Sequence, residues 1–298
     1  MARQYKIHTN LDGTDDKVWD VTNGKVRFYQ PSNLGLQSTN NIWQSNGIGV
    51  MGTRSITQPQ IEFKLETFGE SLEENYQLMK DFVNDILNQK FVTLEYQTEI
   101  FQVYADLALA DVTKTEGYGK NGTFSEKITF DIITKWYTYE NLTFEKIQNG
   151  QVLSGKSKIY GGTAPGSYKY VEGISYTYYG ESDIDRLSRW DIKDEIFSFT
   201  GILYPQLPKT PTGVRFLDDI GNEYTAIVFK TEQLQNYILI NTDVNDEIYQ
   251  GWNGTTPLNL FPVMDFERYR TRIIEKGQME LINLTKAEFK IKRKADFI

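Results

Sequence analysis

The chain contains no cysteine and a single histidine, His8. Without thiols there can be no disulfide framework, zinc finger, iron–sulfur cluster or thiol nucleophile. One imidazole cannot supply a two-histidine metal site, and any histidine-based mechanism would have to run through a residue beside the N-terminus. Positive charge is in deficit: 32 Lys and Arg against 40 Asp and Glu give a formal net charge of -8. That balance disfavours a tightly held nucleic acid, because phosphate binding needs clustered cations. Apolar runs are short, about four residues at 226–229 and 237–240, where a membrane-crossing helix needs roughly 20. The opening MARQYKIHTNLD has no apolar stretch of signal-peptide length. A soluble protein made in the cytoplasm is expected, with no membrane partner.

What is present points to a β-protein of two domains. At 298 residues the chain exceeds what one core of about 250 residues serves. Apolar and polar residues alternate at 61–66, 91–96 and 124–132, as in strands with one wet face. The glycines and Asn-Gly of 116–122 predict a hairpin turn between 101–112 and 123–134. Further strands are expected at 195–203, 223–229, 237–242 and 288–294. One amphipathic helix interrupts them at 71–90. Ser71 and Glu74 have capping-box spacing, and Leu72, Tyr76, Met79, Val83 and Ile86 form a stripe widened by Leu78, Phe82 and Leu87. The expected boundary lies at 134–142, giving domains of 1–135 and 136–298.

Two stretches look unlike core. Residues 30–58 are rich in Asn, Gln, Ser, Thr and Gly, with sparse anchors at Leu34, Leu36, Ile42, Trp43 and Ile48; so long a polar excursion suits a functional loop. Residues 148–190 hold seven glycines and the tyrosines Tyr160, Tyr168, Tyr170, Tyr176, Tyr178 and Tyr179. Tyr joins apolar area to a polar tip at little entropic cost, so such a composition predicts a binding extension.

Catalytic and ligand motifs are weak. Gly47-Ile48-Gly49-Val50-Met51-Gly52 spells a dinucleotide fingerprint, but no strand ends before it and no helix opens on it. Its glycines are expected to permit bends in a long loop. The carboxylate pairs Asp183/Asp185, Asp218/Asp219 and Asp265/Glu267 arise by chance in a chain with 40 acids, and Asp218-Asp219 precedes a plain turn. The acidic runs 12–16 and 241–247 lack the spacing of a helix–loop–helix calcium site and read as Asx turns. His8 falls near the end of a first strand, where a structural role is expected. No enzyme, cofactor or metal is predicted.

Longer strings carry a resemblance. Residues 3–13 (RQYKIHTNLDG), 18–28 (VWDVTNGKVRF), 43–52 (WQSNGIGVMG), 182–190 (SDIDRLSRW) and 266–270 (FERYR) resemble the distal tail protein family, Dit, of lactococcal siphophages. The resemblance covers essentially the whole chain. It implies a structural virion protein: a hexameric ring forming the baseplate hub at the tip of a non-contractile tail, assembled in the host cytoplasm. It also implies an N-terminal β-domain with one covering helix, and a C-terminal galectin-like β-sandwich whose last strand, 286–298, packs back on the N-terminal domain.

Within that picture 30–58, with Trp43 and Ile48, is the belt around a neighbouring subunit. The extension 148–190, with its six tyrosines, is the arm that grips receptor-binding protein trimers. Tail tube and tail-tip proteins are the axial partners, and genomic DNA passes through the lumen without specific binding. The alternative is a carbohydrate-binding module contacting host cell-wall saccharide, for which Trp252 is the candidate stacking aromatic.

Overall fold

The computed structural model describes residues 3–13, 15–35, 38–56, 60–114, 119, 122–145, 147–148, 151–152, 184–244 and 246–295. Strands dominate them, with one α-helix. The chain divides into two units, residues 1–138 with 295–298, and residues 139–294.

Unit 1 is built from β1 (Gln4–His8), β2 (Val18–Asp20), β3 (Val26–Ser32), β4 (Ser38–Ser45), β5 (Ile48–Ile56), β6 (Gln60–Thr67), α1 (Leu72–Leu87), β7 (Val92–Gln97), β8 (Gln102–Thr113), β9 (Ser125–Ile132) and the start of β10 (Tyr137–Glu145). Antiparallel pairing runs β2-β1-β7-β8 and β8-β9-β6-β3. The long β8 serves both rows, its first half against β7 and its second against β9. Alternation sets which side chains go in: on β6, Ile61, Phe63, Leu65 and Thr67 are buried and the residues between them are not. Phe28 stacks on Phe63 at 4.7 Å and meets Phe82 of α1 edge-on at 5.8 Å, so the helix closes this core.

Ser71 caps α1, its Oγ accepting from the Glu74 N–H at 3.2 Å. The Glu74 carboxylate accepts from the Glu70 N–H at 2.7 Å, not from Ser71. The helix is shorter than 71–90, because Asn88 caps it after Leu87. Its buried face also differs from the expected stripe. Asn75, Phe82 and Ile86 are buried, with Leu78, Met79 and Val83 packed alongside, whereas Leu72, Tyr76 and Leu87 of the expected stripe are exposed. The reason is local: Asn75 accepts from the Gly69 N–H at 2.7 Å and donates to the Ser71 carbonyl at 2.9 Å, which holds that side chain against the entry turn. Periodicity places the middle of the stripe correctly and overextends it at both ends, to Leu72 and Tyr76 in the first turns and Leu87 in the last. Replacing Asn75 by Leu strands the turn's half-buried Gly69 donor and should cost about 1–3 kcal/mol, measured by urea unfolding.

Unit 2 contains the rest of β10, a short hairpin β11 (Ile147–Gln148) and β12 (Gln151–Val152), then β13 (Ile184–Ile192), β14 (Ile196–Pro205), β15 (Thr212–Leu217), β16 (Glu223–Phe229), β17 (Tyr237–Asn241), β18 (Ile248–Trp252), β19 (Pro257–Asn259), β20 (Gly277–Ile282) and β21 (Leu284–Lys294). Two sheets, ordered β19-β18-β17-β14-β21-β10 and β13-β20-β15-β16, form the expected sandwich. Phe199 of β14 meets Phe216 of β15 across the core at 5.9 Å. Residues 184–190 belong to β13 and pair with β20, so this part of 148–190 is sheet rather than extension. The last strand, β21, pairs with β14 along its length. The chain enters unit 1 only after Lys294, where the Ala295 N–H donates to the Trp136 carbonyl at 2.8 Å.

Candidate assembly surface

The segment 30–58 is not an irregular loop. Strands β4 and β5 make a separate two-stranded sheet, closed by Asn46 and Gly47, whose φ angles of 51° and 80° are those of a type I′ turn. The Asn-Gly pair is the local sequence signal for this hairpin. Gly47, Gly49 and Gly52 therefore sit in a turn and a strand, not in a phosphate-binding loop. Leu34 is buried in the unit 1 core, and Leu36 lies outside the described residues.

Register decides which side chains share a face. Trp43 opposes Val50 and Ser45 opposes Ile48, while Ile42 opposes Met51. Trp43, Val50 and Ile48 thus occupy one face, and Ile42 and Met51 the other. All five are exposed, Trp43 by 71% and Ile48 by 70%. Val50 and Met51 carry no compositional mark; only pairing across Asn46-Gly47 brings them beside Trp43 and Ile42. Fully burying such a side chain is worth roughly 1.5–3 kcal/mol, and this hairpin forgoes it repeatedly. A lone two-stranded hairpin is marginal in water, and clustered exposed apolar groups mark interaction sites. The hairpin's one ionic group is Arg54, whose Nε donates to Asn40 Oδ1 at 2.9 Å.

The tyrosines Tyr160, Tyr168, Tyr170, Tyr176, Tyr178 and Tyr179 lie outside the described residues. Trp252 is not an open platform for a sugar ring. It is partly buried on β18 and stacks on Tyr237 at 5.8 Å with 15° between the planes.

Several ionisable groups are held in turns and ion pairs, and Asp191, Asp218 and Asp219 line one shallow cleft beside Gly221 and Gly277. Asp218 opens the anticipated plain turn, its Oδ1 accepting from the Ile220 and Asn222 N–H groups. In the acidic run 241–247, Asp243 pairs with Lys292 at 2.9 Å and Glu247 with Arg272 at 2.9 Å. Among the described residues no group of three or more His, Asp and Glu is placed to hold a metal ion.

His8 ends β1 and is buried between two carboxylates, Nδ1 to Asp16 Oδ2 at 2.7 Å and Nε2 to Glu95 Oε2 at 2.9 Å. Burial opposes its charge, but hydrogen bonds donated to Glu95 and Asp16 outweigh burial and raise its pKa above 6.5. The bond from His8 holds Glu95 down at about 2 against the opposing effect of burial, with Lys6 at 2.8 Å assisting.

A raised histidine pKa stabilises the fold fully below about 6.5, and that contribution fades as pH climbs through the folded value. A lowered carboxylate pKa stabilises above about 4.5 and fades as pH falls toward 2. Between those limits unit 1 should be most stable. A series of melting temperatures from pH 4 to 9 should show an alkaline decline that His8→Gln flattens; with one histidine, no other imidazole confuses the assignment.

Two family profiles match: "Distal tail protein, N-terminal domain" over residues 4–133 and "Dit, C-terminal domain" over residues 135–298. The chain is 92% identical to the distal tail protein of Lactococcus phage p2 and 90% identical to that of Lactococcus phage SK1, over 100% of both chains in each case. It superposes on a chain of the phage P2 baseplate in its activated conformation with Ca at a TM-score of 0.78, with 92% identity and complete coverage of both. The SPP1 Dit protein shares the fold, with a TM-score of 0.52 at 11% identity over 97% of this chain and 98% of that one.

Proposed function

Because the chain belongs to the distal tail protein family and is a structural component of the phage tail baseplate, we propose that it is the hexameric hub joining tail tube to tail tip. The observation that carries this reading is the β4–β5 hairpin, apolar on both faces and exposed in the single chain. It is the belt around the neighbouring subunit. A cyclic ring needs head-to-tail contacts between unlike patches, and a projecting hairpin supplies one half of such a contact.

The acidic balance suits the same role. A ring lumen lined by a protein of net charge -8 repels DNA and lets the genome slide, whereas a basic lumen would retain it by counterion release. A structural role is supported by buried ion pairs that hold the fold, among them His8 with Glu95, Arg215 with Glu280 and Lys292 with Asp243.

Light scattering on the purified chain should give a particle about six times the 34.5 kDa chain, with six-fold rings in electron micrographs. A strict monomer at every concentration would sink this reading. Residues 153–183, between β12 and β13, are the arm for receptor-binding protein trimers. Their deletion should preserve the ring and abolish capture of those trimers; a deletion variant that cannot fold would show the segment to be core.

A further inference from the structure

His8 stands on a face of the unit 1 sheet that is crowded with carboxylates. Register sets it level with Val18 of β2 and Thr93 of β7, and sets Lys6 level with Asp20 and Glu95. On the same face β8 adds Tyr104 opposite Glu95 and Asp106 opposite Thr93. Tyr137 of β10 stacks on Tyr104 at 5.9 Å and donates to Asp106 at 2.7 Å. The loop from β1 to β2 brings Asp16 onto His8 and Asp12 close enough to raise the Tyr104 pKa together with Glu95. Lys17, at the far end of that loop, is paired with Asp85 of α1 at 2.5 Å. Lys6 and His8 are thus the cations that face Asp16, Glu95 and their acidic neighbours.

We propose that loss of the His8 proton releases Asp16 and opens the loop between β1 and β2, while the imidazole keeps its remaining proton on Glu95. A carboxylate can only accept, an imidazolium has two donors, and a neutral imidazole has one donor and one lone pair. The charged ring therefore satisfies Asp16 at 2.7 Å and Glu95 at 2.9 Å together. The neutral ring satisfies one and turns its lone pair on the other. The two carboxylates are unequally held. Glu95 is 4% exposed and also accepts from Lys6 Nζ at 2.8 Å, so letting it go would strand a buried charge. Asp16 is half-buried in a surface loop and can turn into water. Charge acts in the same direction: His8 and Lys6 balance Asp16 and Glu95, and deprotonation leaves one negative charge in excess beside Asp12 and Asp20. Asp16 is also what closes the loop, its Oδ1 accepting from the Asn10 N–H at 3.0 Å. Without it the loop keeps the bonds between Thr9 and Lys17 at its ends. The loop is closed in acid and open in alkali.

Amide hydrogen exchange on the full-length protein tests this, with protection at each pH referenced to the unfolded chain at that pH. Between pH 6 and pH 9, protection of residues 9–17 should fall on the order of tenfold, the worth of one hydrogen bond to a charged group. Protection of β7 should hold, because Glu95 keeps both His8 and Lys6. Asp16→Asn should remove the pH dependence, since a carboxamide accepts from the imidazolium and donates to the neutral ring. His8→Gln should remove it as well, because no other imidazole is present. Unchanged loop protection in the unaltered protein would overturn the proposal. So would an equal fall in Asp16→Asn, or a loss of β7 protection in step with the loop, which would show that Glu95 is the partner that lets go.

Discussion

Arg215→Leu should destabilise unit 2 by about 3–5 kcal/mol, the penalty for breaking a buried ion pair by removing one partner. Arg215 on β15 lies directly across from Glu280 on β20. Its Nε and Nη2 both reach Glu280 Oε2, at 2.8 and 2.5 Å, and the Glu280 side chain is fully buried. The pair continues outward through Glu223, which Arg268 grips with Nε at 2.8 Å and Nη2 at 2.6 Å. Removing the arginine takes both guanidinium hydrogen bonds from a carboxylate that is fully buried in the sheet.

The corresponding loss of melting temperature is roughly 10 °C for a unit of this size. The double variant Arg215→Leu/Glu280→Leu should recover most of it, because apolar replacement of a buried pair is often nearly neutral. Calorimetry on the two variants decides the matter. Equal losses in single and double would mean that shape, not charge, is what the site contributes.

Trp43→Glu combined with Ile48→Glu should act in the opposite sense, sparing the fold and destroying the assembly. Both side chains project from the hairpin into solvent, so stability should change by no more than about 0.5 kcal/mol each. At a buried contact the same residues would be anchors worth about 2 kcal/mol or more apiece, which is roughly 30-fold in affinity per anchor. Light scattering should therefore report free chain at concentrations where the unaltered protein is assembled, with superimposable circular dichroism. If the doubly charged variant assembles normally, the hairpin is not the belt.

Much of the fold is legible because its elements follow simple periods. The β6 pattern Ile61, Phe63, Leu65 reads as a strand from alternation alone, and Ser71 marks the start of the only α-helix among the described residues. The helix face is legible in part. Leu78, Met79, Phe82, Val83 and Ile86 pack on the core as their spacing predicts, but at the first turn the buried place goes to Asn75, which bonds to Gly69 and Ser71, and not to Leu72 or Tyr76. The candidate site is half legible. Composition marks Trp43 and Ile48, but cross-strand register, absent from composition, recruits Val50 and Met51.

The lack of cysteine and the lone histidine exclude most metal and thiol chemistry by themselves, and alternation makes the chain a β-protein. Those properties are local, set by residue type and by spacing along the chain. Burial is not local. Only the folded chain turns His8 into a clamp between Asp16 and Glu95, lays Trp252 against Tyr237, and leaves the hairpin and one flank of α1 facing water. Each of those outcomes depends on which distant segment covers a side chain, and no period in the sequence records that.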